Sequence, residues 1–275
     1  MQQLSTTSEH RLGRKLNLIT SAGTTKIVAA FHNAKKRLIL LDYDGVLSEL
    51  IPDPTPAASA PTPELLATLK KLCGLPNTNI VILSGRPRAA LESWFGDLPA
   101  TLGAEHGAWV REKGKWAMRY DIDESWKQPI LPVLESTTRL TPGSALEQKQ
   151  FSLVWHYRNV DTALAHDHKN TLRSTLGRLT ANSEIGVYEG HKIIEIKPKT
   201  IRKSVVASQK FAEAPYDFVM AAGDDYNDED MFAALPASAI TIKVGLTATV
   251  AKYHIESVAR VKSLLAHLAA GTTSL

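Results

Sequence analysis

Cysteine is nearly missing from this sequence: Cys73 is the single one in 275 residues. One thiol excludes an internal disulfide and any site built from several thiolates. Long apolar runs are missing too. No stretch approaches the roughly 18 residues that a membrane helix needs. The opening MQQLSTTSEHRLGRK has no apolar core of the signal-peptide kind. The expected setting is therefore the cytoplasm, with no membrane partner. Repeats and low-complexity blocks are absent. With 44% hydrophobic and 22% charged residues, disordered and collagen-like classes are excluded, and the chain is long enough to bury a sizeable core.

A basic surplus is missing from most of the chain. Residues 1–36 hold Arg11, Arg14, Lys15, Lys26, Lys35 and Lys36 against Glu9 alone; the remainder holds 26 basic and 27 acidic residues. A nucleic-acid footprint needs a basic, aromatic-bearing face on a folded module. No nucleic-acid partner is expected, and the basic start reads as a linker-like segment over residues 1–24.

What is present is an alternation of strand-like and helix-like stretches, the pattern of an α/β fold with a mostly parallel sheet. Arg37-Leu-Ile-Leu-Leu41 is a short apolar run that breaks into Asp42-Tyr43-Asp44-Gly45. Ile80-Val-Ile-Leu83 ends in Ser84-Gly85-Arg86-Pro87, and Phe218-Val-Met-Ala-Ala222 ends in Gly223-Asp224-Asp225. Fully buried strands read this way, and open α/β sheets bind ligands beyond their strands' carboxyl ends. The three polar clusters should therefore meet in space. Thr62-Pro63-Glu64 followed by Leu65, Leu66, Leu69 and Leu72 predicts a capped helix that stops near Gly74. The middle reads differently. Weak alternation in Phe151–Tyr157 and Ile185–Ile196, around a helical period in 160–181, predicts a smaller α/β unit whose strands have one solvated face. The fold class expected is a doubly wound parallel-sheet core over 25–114 and 199–275, with an inserted α/β cap over 115–198.

Asp42 and Asp44 close one strand; Asp224, Asp225 and Asp228 follow another. If these loops converge, at least four carboxylates share a pocket. Two like charges 4 Å apart repel by about 4 kcal/mol at an effective dielectric of 20. Such a cluster stays ionised beside a cation, and oxygen donors without His or Cys suit a hard ion such as Mg²⁺. Read singly, the first pair would make an Asx-type turn and the second group an acidic helix N-terminus. Their recurrence at matching strand ends favours a site. A metal site with a free carboxylate suggests phosphoryl transfer through an acyl phosphate, one Asp attacking phosphorus and another acting as acid, then base. A neutral donor and a fixed cation must then hold the phosphoryl oxygens. Ser84 can be the donor and Lys203 or Lys199 the cation. The ordinary alternatives are a helix N-cap for Ser84 and a solvated helix face for the lysine.

These residues carry a resemblance. Asp-x-Asp-Gly-Val at 42–46, Ser84, Lys203 and Gly-Asp-Asp-x-x-Asp at 223–228 resemble, in order and spacing, the four motifs of the haloacid-dehalogenase-type phosphatases. Gly103-Ala104-Glu105-His106-Gly107, Trp155-His156-Tyr157-Arg158 and Glu229-Asp230-Met231-Phe232 extend the match, so that residues 25 to 270 are similar to the trehalose-6-phosphate phosphatases. The resemblance implies that Asp42 is the nucleophile and Asp44 the acid and base, while Ser84 and Lys203 hold the phosphoryl group. It implies a Mg²⁺ site at Asp42, Asp44 and Asp224, supported by Asp225 and Asp228. It implies that a cap closes over the sugar of trehalose 6-phosphate, with Glu147, Lys149, Gly190, Lys192 and Glu195 as sugar contacts and Gly85 and Arg86 beside them.

His106 reads either as a substrate-side group or as a structural histidine at the core–cap border. The Trp155–Arg158 aromatics read as cap core. Val46 and Arg202-Lys203-Ser204 depart from the usual forms, where Thr and Asn-Lys-Gly are common, and Asn227 before Asp228 resembles the Gly-Asp-x-x-Asn-Asp form of related sugar phosphatases. The basic start resembles the connector to a trehalose-phosphate synthase domain, which makes such a domain or subunit an expected partner. A sibling sugar-phosphate phosphatase (for sucrose or mannosylglycerate phosphate) and a non-catalytic regulatory module are the alternatives. The regulatory module should have lost Asp42, Asp44 or Lys203, and all three are present.

Overall fold

The computed structural model describes residues 16–51 and 58–270. The first apolar run forms β1 (Arg37–Leu41), and the other two lie in β2 (Thr78–Leu83) and β10 (Phe218–Gly223). They lie side by side and parallel, with β1 in the middle, Leu41 opposite Ile82 on one side and Ala222 on the other. β11 (Ile240–Val244) and β12 (Tyr253–Ile255) extend the sheet beyond β10. β3 (Thr101–Ala104), β4 (Trp109–Glu112) and β5 (Lys115–Met118) extend it beyond β2, the last two antiparallel.

Successive residues of a strand face opposite sides of a sheet. Ile39, Leu41, Ile80, Ile82, Met220 and Ala222 pack on one face, against helices α1 (Ser21–Asn33), α2 (Pro63–Gly74), α3 (Arg88–Phe95) and α8 (Val258–Ala269). Leu38, Leu40, Val81, Leu83, Val219 and Ala221 pack on the other, under α6 (Lys203–Ala212) and α7 (Tyr226–Ala233). Burial on both faces is why these strands read as unbroken apolar runs. The doubly wound core is the fold expected. α2 is capped as its sequence predicts, with Thr62 Oγ1 accepting from the Leu65 N–H at 3.3 Å.

The second sheet is antiparallel, in the order β6 (Ala145–Gln148), β7 (Leu153–His156), β9 (Ile193–Pro198), β8 (Ile185–Gly190). Leu153, Trp155, Ile194 and Ile196 bury one face against α4 (Leu131–Leu140) and α5 (Thr162–Leu179). Trp155 and Tyr157 are thus cap core, stacked at 5.2 Å.

Two placements differ from the sequence reading. β5 pairs with β4 in the large sheet, so the crossing to the smaller unit comes after Met118 rather than at 115. The second face of the small sheet is not solvated: Val154, Glu195 and Lys197 are buried, because that face is turned to the carboxyl ends of β1, β2 and β10. Of the expected linker, residues 1–15 with Arg11, Arg14 and Lys15 lie outside the described residues. Residues 16–24 are tied down instead: Leu18 bridges His254, and Thr20 caps α1.

Candidate active site

Three strand ends supply the floor of one cavity. After β1 the chain turns at once, with the Tyr43 carbonyl accepting from the Leu47 and Ser48 N–H groups at 2.8 and 2.9 Å. Gly45 sits in the left-handed region at φ 76°, and a Cβ there would lie 2.1 Å from Asp224 Oδ2. Only glycine lets the β1 and β10 loops approach this closely. Asp42, Asp224 and Asp228 consequently each present an oxygen within 4.8 Å of the others.

Lys203 opens α6 and reaches into this group. Its Nζ lies 2.8 Å from Asp42 Oδ2 and 2.8 Å from Asp228 Oδ1. Burial works against the ammonium charge, yet the two carboxylates outweigh it and raise the Lys203 pKa above its ordinary value. Asp228 is enclosed, and its Oδ2 accepts the backbone N–H groups of Asp224 and Asp225 at 3.0 and 3.1 Å. It braces both the lysine and the β10 loop. Lys199, the other candidate cation, donates to the Ser183 carbonyl instead, at 2.8 Å. Burial, then repulsion by neighbouring carboxylates, pushes Asp42 well above the usual carboxylate range and Asp224 up to about 8. A buried acidic cluster that resists ionisation this way fits a cation. The donors are oxygens alone, which suits a hard divalent ion.

Ser84 is fully buried at the tip of β2. Its Oγ accepts from the Arg86 N–H at 3.1 Å, and α3 begins later, behind Pro87, so Ser84 is not a helix cap. Arg86 grips Asp44 with both nitrogens, Nε at 2.8 Å from Oδ2 and Nη2 at 2.6 Å from Oδ1. A fork of this kind fixes the carboxylate plane as a single lysine would not.

The opposite wall is the turned face of the small sheet. Glu147 accepts from His156 at 2.9 Å and lies 3.7 Å from Lys149, whose Nζ donates to the Gly85 carbonyl at 3.1 Å. Burial opposes ionisation of Glu147, but His156 and Lys149 prevail and lower its pKa. Glu195 accepts from His106 at 3.0 Å and from the Tyr226 hydroxyl at 2.9 Å. Arg158 donates to the Ile51 carbonyl across the cavity mouth. Cap and core are thus joined by hydrogen bonds on several sides of the cavity, a closed arrangement.

The chain itself has counterparts among known proteins. A model of trehalose-phosphatases matches residues 40–262.

The chain belongs to the trehalose-phosphatase family.

It is 37% identical over 257 residues to a bifunctional trehalose-6-phosphate synthase/phosphatase of Thermoproteus tenax, covering 93% of this chain and 35% of that protein. It is 34% identical over 229 residues to a trehalose-phosphatase of Zygosaccharomyces rouxii, covering 74% of this chain and 25% of that one. The chain therefore spans about a third or less of these curated relatives. Among solved structures, the C-terminal domain of the C. albicans trehalose-6-phosphate phosphatase superposes with a TM-score of 0.86 at 28% identity, over 94% of this chain and 99% of that domain.

In this trehalose-phosphatase family member, most of the residues singled out in the sequence line one cavity: Asp42, Asp44, Gly85, Arg86, His106 and Lys203 on the core side, with Asp224 and Asp225, and Glu147, Lys149 and Glu195 on the cap side. Ser84 and Asp228 lie behind its floor. Gly190 stands against Asp225 rather than on the wall. Lys192 is outside: it is exposed at the β8–β9 turn with φ 62°, its Nζ 5.9 Å from the centre of the Tyr157 ring. His156, Arg158 and Ile51 also line the cavity and had not been singled out as site residues. Period-two spacing could have found His156, since Leu153 and Trp155 face the core and 154 and 156 must face the other way. Val46 is buried in the core, so its missing hydroxyl is not missed at the cavity.

Proposed function

We propose that this chain hydrolyses trehalose 6-phosphate to trehalose and phosphate through a phosphoaspartate on Asp42, with Mg²⁺ as the metal. The observation that carries the proposal is the Asp42–Lys203–Asp228 chain of contacts, closed over by a cap face bearing Glu147, Lys149 and Glu195.

Asp42, the backbone carbonyl of Asp44 and Asp224 would hold the ion, with Asp225 and Asp228 in support, and the bound ion would neutralise the phosphoryl oxygens and lower repulsion toward the attacking carboxylate. Asp42 attacks phosphorus as its P–O bond to the sugar breaks. Asp44 gives the leaving oxygen a proton. Asp44 then takes a proton from water as that water attacks the phosphoaspartate, which frees phosphate and restores Asp42. Lys203, with Ser84 behind the floor, fixes the phosphoryl site. Both Asp44 oxygens are held by Arg86 here, so proton delivery requires one of those hydrogen bonds to yield. The cap, residues 119 to 198, keeps water other than the attacking one away from the acyl phosphate. Glu147, Lys149 and Glu195 offer charged acceptors and donors to sugar hydroxyls. We place the chain in the cytoplasm, with a trehalose-phosphate synthase domain or subunit supplying its substrate. No helix among the described residues is long and apolar enough to cross a membrane.

Phosphate release from trehalose 6-phosphate, sucrose phosphate, mannosylglycerate phosphate and glucose 6-phosphate tests the substrate. Release that strongly favours trehalose 6-phosphate is expected. A preference for another sugar phosphate would keep the chemistry and overturn the substrate. Release from none of them, by folded protein with Mg²⁺, would favour a regulatory module.

A further inference from the structure

Glu195 belongs to the cap, but core residues fix its carboxylate. It is 2% exposed on β9. Oε1 accepts from His106, which follows β3, and Oε2 accepts from Tyr226, the first residue of α7. Both core groups are themselves held. Tyr226 stacks on Tyr188 at 5.3 Å and 9° between planes, and Tyr188 is the strand partner of Glu195 on β8. One core side chain therefore meets two neighbouring cap residues, one by its ring and the other by its hydroxyl. His106 stands in the left-handed region at φ 59°, and its ring lies where a side chain on residue 85 would be: a Cβ on Gly85 would sit 2.9 Å from His106 Cε1. Its Nδ1 is buried with no hydrogen-bond partner among the described residues. The proton is accordingly assigned to Nε2, the nitrogen facing the carboxylate.

An isolated buried carboxylate is costly and rotates to whatever donor it can find. Two donors from separate core elements leave Glu195 one orientation, and they supply it only when the cap is closed. We infer that Tyr226, with His106, is a positioning residue that orients Glu195 for the sugar when the cap closes, so that sugar affinity depends on a residue lying between the acidic positions of the β10 loop.

The inference rests on the trehalose 6-phosphate reading above. Its test is Tyr226→Phe, which keeps the ring stack and removes only the hydroxyl. KM for trehalose 6-phosphate should rise about tenfold, the loss of one hydrogen bond to a charged group, while kcat stays within about twofold. Turnover of p-nitrophenyl phosphate, which has no sugar to orient, should be retained. The contact itself is read without substrate, by the melting temperatures of Tyr226→Phe, Glu195→Ala and the double variant. The double variant should melt close to Glu195→Ala alone, because that truncation already removes the partner of the Tyr226 hydroxyl. Additive losses overturn the inference. So does an unchanged KM, or an equal loss on both substrates. Wild-type protein that turns over p-nitrophenyl phosphate but not trehalose 6-phosphate overturns the substrate reading and this inference with it, and that result is seen before any variant is made.

Discussion

Arg86 and Asp44 form a two-pronged ion pair across the cavity floor, with N···O distances of 2.8 and 2.6 Å. The pair joins the end of β2 to the loop after β1 and sets the plane of the carboxylate proposed to handle the proton. Asp44→Asn should cost at least about a hundredfold in kcat on trehalose 6-phosphate, the usual range for losing a general acid and base. On p-nitrophenyl phosphate, whose leaving group departs without a proton, the loss in the first step should be much smaller. Equal losses on both substrates in single-turnover kinetics would show that Asp44 does not protonate the sugar oxygen.

Lys203 holds two buried carboxylates at once. Lys203→Met would leave Asp42 and Asp228 without their counter-charge, which costs about 3–5 kcal/mol for a broken buried pair. Urea unfolding in chelator should show that loss. Adding Asp228→Asn should recover part of the stability and none of the activity. A Lys203→Met protein as stable as wild type would mean that the two lysine contacts add no net stability.

The acidic group on the floor should couple folding to the ion. Mg²⁺ at a hundred times its dissociation constant should raise unfolding free energy by about 2.7 kcal/mol. Chelator should abolish phosphate release, and Asp224→Asn should abolish the Mg²⁺-dependent gain in stability. A gain that survives in Asp224→Asn would place the ion elsewhere.

Burial lowers His106 from 6.5 to about 4 in spite of Glu195 beside it. The folded protein keeps the ring neutral, whereas the unfolded chain protonates it near 6.5. Stability is then fully present above that value and falls as the pH drops toward 4, by on the order of 3 kcal/mol from this group. His106→Gln should flatten the stability curve between those limits. An unchanged slope in urea titrations would mean that the ring is already charged in the fold.

The core was legible because both faces of its sheet are buried. β1 matches the apolar run Arg37–Leu41, and the polar residues that end each run are those on the cavity floor. The short spacing from Asp42 to Asp44 and from Asp224 to Asp228 carried the chemistry without help from distant sequence. The roof was harder to read. His156 and Arg158 sit among aromatics that do fill the cap core, and only alternation along β7 separates His156 from Trp155. Lys192 sits at a turn with φ 62°, beside Tyr157, a placement that its motif does not reveal. β5, which the boundary at 115 places in the cap, is mostly exposed, as expected of the edge of a large sheet. Tyr226 gave no signal, because its partners Glu195 and Tyr188 lie more than thirty positions earlier in the chain.

The most direct test of the account is the initial rate of phosphate release from trehalose 6-phosphate with saturating Mg²⁺, compared between wild type and Asp42→Asn. The account predicts ready release by wild type and a rate near background for the variant, which folds but has no carboxylate to take the phosphoryl group. Wild-type turnover in Asp42→Asn would contradict it.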